Sequence, residues 1–236
     1  MRTEAPKEFT RILSRLNDDG YVVVEAPHHY DDLKNLAGKL GRVSCETEVR
    51  VFGATDSYVR GASEIPLHND NVFEVRYVGL YCVAQDPRSG ATQIVDVSRL
   101  KSQLPAEVLW ELSKIKIPIS KPGFNFNSRP FEPLVLNVDD DTPFHYTPEF
   151  ELNEPFRREH PAVRILFEEV GAIARDSTIS IRLEAGQSLL FDNWRVLHAR
   201  PRLSDNSIRH LKRFWIDSGI AYQTPDKDGG NNAFRA

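Results

Sequence analysis

The sequence predicts a mainly β protein with flanking helices, rolled into a double-stranded β-helix (jelly roll) in which two antiparallel sheets enclose a pocket. Three observations predict it. From residue 43 onward, short runs rich in Val, Ile, Thr and aromatic residues recur between clusters of Gly, Pro, Asn and Asp. Helical periodicity is confined to the N-terminal portion, to a stretch around residues 98–114 and to residues 160–175. Neither an internal repeat nor a linker divides the 236 residues, a length that one all-β domain commonly reaches.

Residues 1–42 read as helix–strand–helix. Phe9, Ile12, Leu13 and Leu16 fall at helical spacing and Asp18-Asp19-Gly20 ends the run. Tyr21-Val22-Val23-Val24 is a short buried strand, and Asp31 caps a second helix, Asp32 to Leu40, that Gly41 closes. Residues 76–84 and 91–97 are strands joined by the turn-rich Gln85-Asp86-Pro87-Arg88-Ser89-Gly90. Two helical turns follow at 98–104 and 105–114, with Pro105 at a helix start. Residues 118–158 carry seven prolines and much Asn, Asp and Phe, the composition of an irregular lid of loop and β-ribbon, and Tyr146 within it is a candidate substrate contact. An amphipathic helix spans 160–175, strands are expected at 178–183, 187–191, 194–198 and 208–216, and the polar tail 224–236 is flexible.

Composition narrows the function classes. A net charge of −4 and a pI near 6.0 give no general attraction to nucleic acid or anionic membrane. No apolar run is long enough to span a bilayer and the N-terminus lacks an apolar signal core, so the chain reads as cytoplasmic. Cys45 and Cys82 lack metal-ligand spacing and read as buried thiols in a reducing compartment. A small-molecule partner fits this profile; oligomeric state is not encoded in it.

The candidate chemistry lies in Leu67-His68-Asn69-Asp70-Asn71. On an extended backbone His68 and Asp70 leave the same face about 7 Å apart. One imidazole and one carboxylate supply two ligands of the 2-His-1-carboxylate facial triad of non-haem Fe(II) oxygenases. His198, in Phe191-Asp192-Asn193-Trp194-Arg195-Val196-Leu197-His198, is the candidate third. The pattern alone is weak, since seven histidines and 34 acids yield roughly one His-x-acid by chance. His29-Tyr30-Asp31 is a second instance, read as structural because Asp31 serves as a cap. His28, His160 and His210 are read as surface or structural residues. After His198, strand alternation puts Arg209, Leu211, Arg213 and Trp215 on one face. Two arginines there need anions; a bound carboxylate, or an acid such as Asp192 or Glu184, would serve equally.

These residues, together with Gly90-Ala91-Thr92 and Arg209-x-x-x-Arg213, stand in the order found in Fe(II)/2-oxoglutarate-dependent dioxygenases. The chain resembles the taurine dioxygenase (TauD/TfdA) and clavaminate synthase-like branch, over residues 60–100 and 185–216. The resemblance implies that one jelly-roll oxygenase domain fills residues 1–236 and that His68, Asp70 and His198 bind iron. It implies that Thr92 and Arg209 hold the distal carboxylate of 2-oxoglutarate, with Arg213 near that cosubstrate or an anionic substrate group. Phe73 is placed like an aromatic lining the substrate pocket. The implied reaction uses O2, converts 2-oxoglutarate to succinate and CO2, and hydroxylates a C–H of a small polar metabolite such as an amino acid. Desaturation and oxidative cyclisation use the same ligands. Asp70 fills the position that halogenating relatives leave for halide. A cupin-like binding protein without turnover, or an iron oxygenase needing no 2-oxo acid, are the competing readings. Thr92 and Arg209 beside the triad weigh against both.

Overall fold

A computed structural model describes residues 5–25, 29–51, 60–70, 75–118, 131–133, 146 and 158–217. Two antiparallel sheets form its body. The larger has the order β1 (Tyr21–Val24), β9 (Ser188–Asp192), β4 (Tyr77–Ala84), β11 (His210–Asp217), β2 (Arg42–Arg50). The smaller has the order β3 (Ile65–His68), β10 (Val196–Arg200), β5 (Thr92–Asp96), β8 (Ile179–Ile181). A ribbon of β6 (Lys116–Pro118) and β7 (Phe131–Pro133) stands apart.

Side-chain alternation sorts the sheets into layers. Leu190, Phe214 and Ile216 turn outward from the larger sheet onto α1 (Ala5–Asp19) and α2 (Tyr30–Ala37). Their strand neighbours Leu189, Phe191, Leu211 and Trp215 turn inward and pack with Leu183 and Val196 beside the smaller sheet. On the far side, Val95, Val97 and Leu197 lie under α3 (Leu100–Gln103), α4 (Ala106–Lys114) and α5 (Pro161–Ser177). The inner faces of β5, β10 and β11 therefore present Thr92, His198, Arg200 and Arg213, all buried, to the space between the sheets, and Arg209 is buried just before β11.

The elements follow the expected order with shifted boundaries. The second helix begins earlier than expected: His29, not Asp31, is the cap residue. The reason is local, since the Asp32 carboxylate accepts the His29 backbone N–H at 3.3 Å and closes a capping box. That helix ends at Ala37 with Gly38 as its C-cap, short of the expected Leu40. Pro105 caps α4 from outside rather than opening it. The expected lid 118–158 and tail 224–236 lie almost wholly outside the described residues, apart from the ribbon strands, Tyr146 and Arg158.

Candidate metal centre

His198 sits in the middle of β10 and pairs directly with His68, the last residue of β3. Residues directly opposed across antiparallel strands have Cβ atoms about 4.5–5.5 Å apart, so this register alone makes the imidazoles neighbours. Their ring centroids are 4.1 Å apart. Two positions past His68, the Asp70 carboxylate brings Oδ1 to 4.0 Å from His68 Nε2. One nitrogen from each histidine and one Asp70 oxygen all lie within 4.8 Å of one another.

The surroundings fix these groups in the states a divalent ion requires. His68 Nδ1 donates to the Pro66 carbonyl at 2.9 Å, which leaves the Nε2 lone pair for a ligand. Burial, helped by His68 and Arg213 and opposed by Asp70, lowers the His198 pKa to about 3, so the ring is neutral at physiological pH. Burial alone would raise the Asp70 pKa. Arg213, both histidines and the Trp215 indole outweigh it and hold the carboxyl at about 2. Two imidazoles and one carboxylate match the facial-triad donor set for Fe(II). His198 Nδ1 is buried without a hydrogen-bond partner among the described residues, an orphaned polar atom of the kind a bound group accounts for.

Arg209 and Thr92, expected to act together, are in contact. Arg209, 3% exposed, donates from Nε to the Gly90 carbonyl at 2.8 Å and from Nη2 to Thr92 Oγ1 at 3.2 Å. Burial, with the Arg200 guanidinium nearby, lowers its pKa to about 10, so it stays charged near neutral pH. No carboxylate among the described residues neutralises it. Gly90, at φ 98°, makes the approach possible: a Cβ there would lie 2.6 Å from Arg209 Cδ.

The family model described as "Taurine catabolism dioxygenase TauD, TfdA family" matches residues 4–215. The chain belongs to this family. Two solved structures share the chain's fold. An asparagine oxygenase in complex with Fe(II), 2S,3S-3-hydroxyasparagine and succinate is 18% identical with TM-score 0.70, the match covering 90% of this chain and 80% of that one. The non-heme iron oxygenase OrfP in complex with Fe and alpha-ketoglutaric acid is 17% identical with TM-score 0.64, covering 92% and 80%. No curated protein sequence matches this chain.

Against the TauD/TfdA expectations, the structure brings His68, Asp70 and His198 together and sets Thr92 on Arg209. Arg213, expected near the cosubstrate or an anionic group of the substrate, has Nη1 on Asp70, at 3.1 Å from Oδ1 and 3.3 Å from Oδ2. Neither acid weighed as its partner is used: Asp192 pairs with Arg76 at 2.6 Å, and Glu184 is exposed. Tyr146 is 1% exposed and its ring packs on Phe167 of α5, so it meets the metal loop through its backbone, which bonds both ways with Asn69. Phe73 lies outside the described residues. Trp215, which no motif in the sequence marks, joins the site: its Nε1 donates to Asp70 Oδ2 at 2.8 Å. Strand alternation already put it on the face of Arg213, the one available signal.

Three of the other five histidines lie among the described residues; His145 does not. His29 caps α2, His160 caps α5 and His210 pairs with Glu48; His28 lies outside the described residues. A cavity of about 290 Å³ between α1 and α2, lined by Leu33, Leu36 and Lys39 among others, lies beyond the larger sheet from the metal centre. No described helix is long and apolar enough to cross a membrane.

Proposed function

We propose that this TauD/TfdA-family chain is an Fe(II)/2-oxoglutarate-dependent oxygenase that hydroxylates a C–H bond of a small polar metabolite, an amino acid or a derivative foremost. The observation that carries this reading is the direct cross-strand pairing of His198 with His68, with Asp70 Oδ1 4.0 Å from His68 Nε2. We read the two facing sheets as a jelly roll forming one oxygenase domain. The free thiols Cys45 and Cys82 suit a reducing cytosol.

Fe(II) held by these three ligands, with 2-oxoglutarate and O2, supplies the oxidising power to break the substrate C–H bond as 2-oxoglutarate becomes succinate and CO2. The protein's own contributions are positional and electrostatic. His68, Asp70 and His198 would hold the ion, and three protein ligands would leave coordination positions for the 2-oxo acid and O2. Arg209 and Thr92 hold the distal carboxylate: a charged, buried guanidinium already fixed through Nε needs no reorganisation when an anion arrives. We assign Arg213 and Trp215 to Asp70, whose charge they stabilise and whose Oδ2 the indole occupies.

The amino-acid substrate class is supported by the asparagine oxygenase bound to hydroxyasparagine and by OrfP bound to (3S)-hydroxy-L-Arg, whose folds this chain shares. The test is succinate formation by the Fe(II)-loaded protein across a panel of free amino acids, read with mass spectrometry of each amino acid. Stimulated succinate release with one added oxygen in the product is expected. Succinate release that no panel member stimulates would remove the substrate class; failure to bind Fe(II) would remove the reading altogether.

A further inference from the structure

Asp70 lies beyond the end of β3, where no strand partner is left for its backbone. A single side chain takes that place. Asn193, fully buried in the turn between β9 and β10, accepts the Asp70 N–H on Oδ1 at 2.8 Å. Its Nδ2 donates to the Asp70 carbonyl at 3.1 Å and to the Val75 carbonyl at 3.0 Å. Both amide protons and the amide oxygen are thereby used. The Asn193 backbone N–H is also tied, to the Arg76 carbonyl at 2.9 Å. Five residues later the same chain delivers His198. One amide thus joins the segment carrying His68 and Asp70 to the segment carrying His198, across 123 positions.

We propose that Asn193 is a positioning residue of the metal centre: it sets the place of the Asp70 backbone relative to His198, while Arg213 and Trp215 set the direction of the carboxylate. The inference rests on the metal reading above. The chemistry is specific to an amide. An aspartate at 193 would turn a carboxylate on two carbonyls, and an apolar residue would leave an N–H and two carbonyls buried without partners. Hydrogen-bonding partners behind a metal ligand act on affinity as well as on stability, and their loss typically weakens metal binding about 10–100-fold.

The experiment titrates Co(II), a spectroscopic substitute for Fe(II), anaerobically into the wild type, Asn193→Ala and Leu166→Ala. Leu166 is fully buried under the smaller sheet, in the helical layer, and its truncation reports general destabilisation. Asn193→Ala is expected to bind Co(II) about tenfold or more weakly with an altered visible spectrum, while Leu166→Ala stays within about twofold of the wild type. Equal affinity in Asn193→Ala and wild type, or an equal loss in both variants, overturns the proposal while leaving the metal reading intact. A wild type that binds no Co(II) removes the metal reading and this inference with it. Should Asn193→Ala fail to fold, hydrogen exchange of the wild-type Asp70 amide decides: slow exchange is expected, and exchange at the rate of an exposed amide overturns the proposal.

Discussion

Arg209 is a buried cation that no described carboxylate neutralises; its guanidinium meets the Gly90 carbonyl and the Thr92 hydroxyl among the described residues. Taking an ion out of water is costly, and an incoming carboxylate offsets that cost. Truncating one partner of such a pair costs about 2–5 kcal/mol, a factor of tens to thousands in affinity. Arg209→Ala is therefore expected to raise the KM for 2-oxoglutarate by that factor while Co(II) affinity hardly moves; an unchanged KM would contradict the assignment. The triad gives a second test. His68→Ala and His198→Ala should each abolish metal binding, whereas His29→Ala, which alters only a helix cap, should bind normally. At this scale the sequence identified the residues but not all their partners. Spacing placed His68 and Asp70 on one face and alternation placed Arg213 inside. The acid that Arg213 meets is Asp70, 143 positions away, and only the fold brings them together. Nor does periodicity distinguish an arginine that no described carboxylate meets from one that has an ion pair.

The pairing of β4 with β11 carries the arginine-bearing face, and its register opposes Phe214 to Gly79. The aromatic ring lies flat where a side chain at 79 would stand: a Cβ there would sit 2.0 Å from Phe214 Cζ. A strand glycine often marks such a close approach. Gly79→Ala forces either the ring or the strand to move, and overpacking of this kind costs roughly 1–3 kcal/mol. A lowered urea midpoint with an unchanged m-value is the expected outcome, and an unaltered midpoint would mean that the ring has room to turn. Elements of this length were largely legible. The apolar spacing of Ile12 and Leu16, or of Val163, Leu166 and Val170, reports a buried stripe directly. Ends were less legible because they turn on single contacts such as Asp32 with the His29 N–H. The register shifts in β11 at His210/Leu211 and Trp215/Ile216 left no pattern in the sequence at all.

Across the whole molecule, the chain crosses between the sheets several times; one crossing, from the larger to the smaller, follows β4, and another, from the smaller to the larger, follows β10. Asp86 fastens these two crossings together. It is 3% exposed, accepts the backbone N–H of Arg88 at 2.8 Å and of Ser89 at 3.1 Å, and meets Ser204 Oγ at 3.3 Å from the other connection. The Ser207 hydroxyl, these backbone donors and Ser204 outweigh burial and hold its pKa at about 2. An unfolded aspartate titrates near pH 4, so the folded chain favours the ionised form more strongly than the unfolded chain does. The resulting stabilisation is complete above about pH 4 and is lost as the pH falls toward about 2. Asp86→Asn keeps the shape and one acceptor but removes the charge. The variant is expected to unfold at lower urea than the wild type near pH 6, with the gap between them narrowing below about pH 4. The subtraction isolates Asp86 from Asp70 and other acids that titrate in the same range. A gap that stays constant with pH would show that hydrogen-bond geometry, not the carboxylate charge, ties the crossings together. The same turn presents Gly90 to Arg209, so loosening it should also weaken 2-oxoglutarate binding before the sheets themselves come apart.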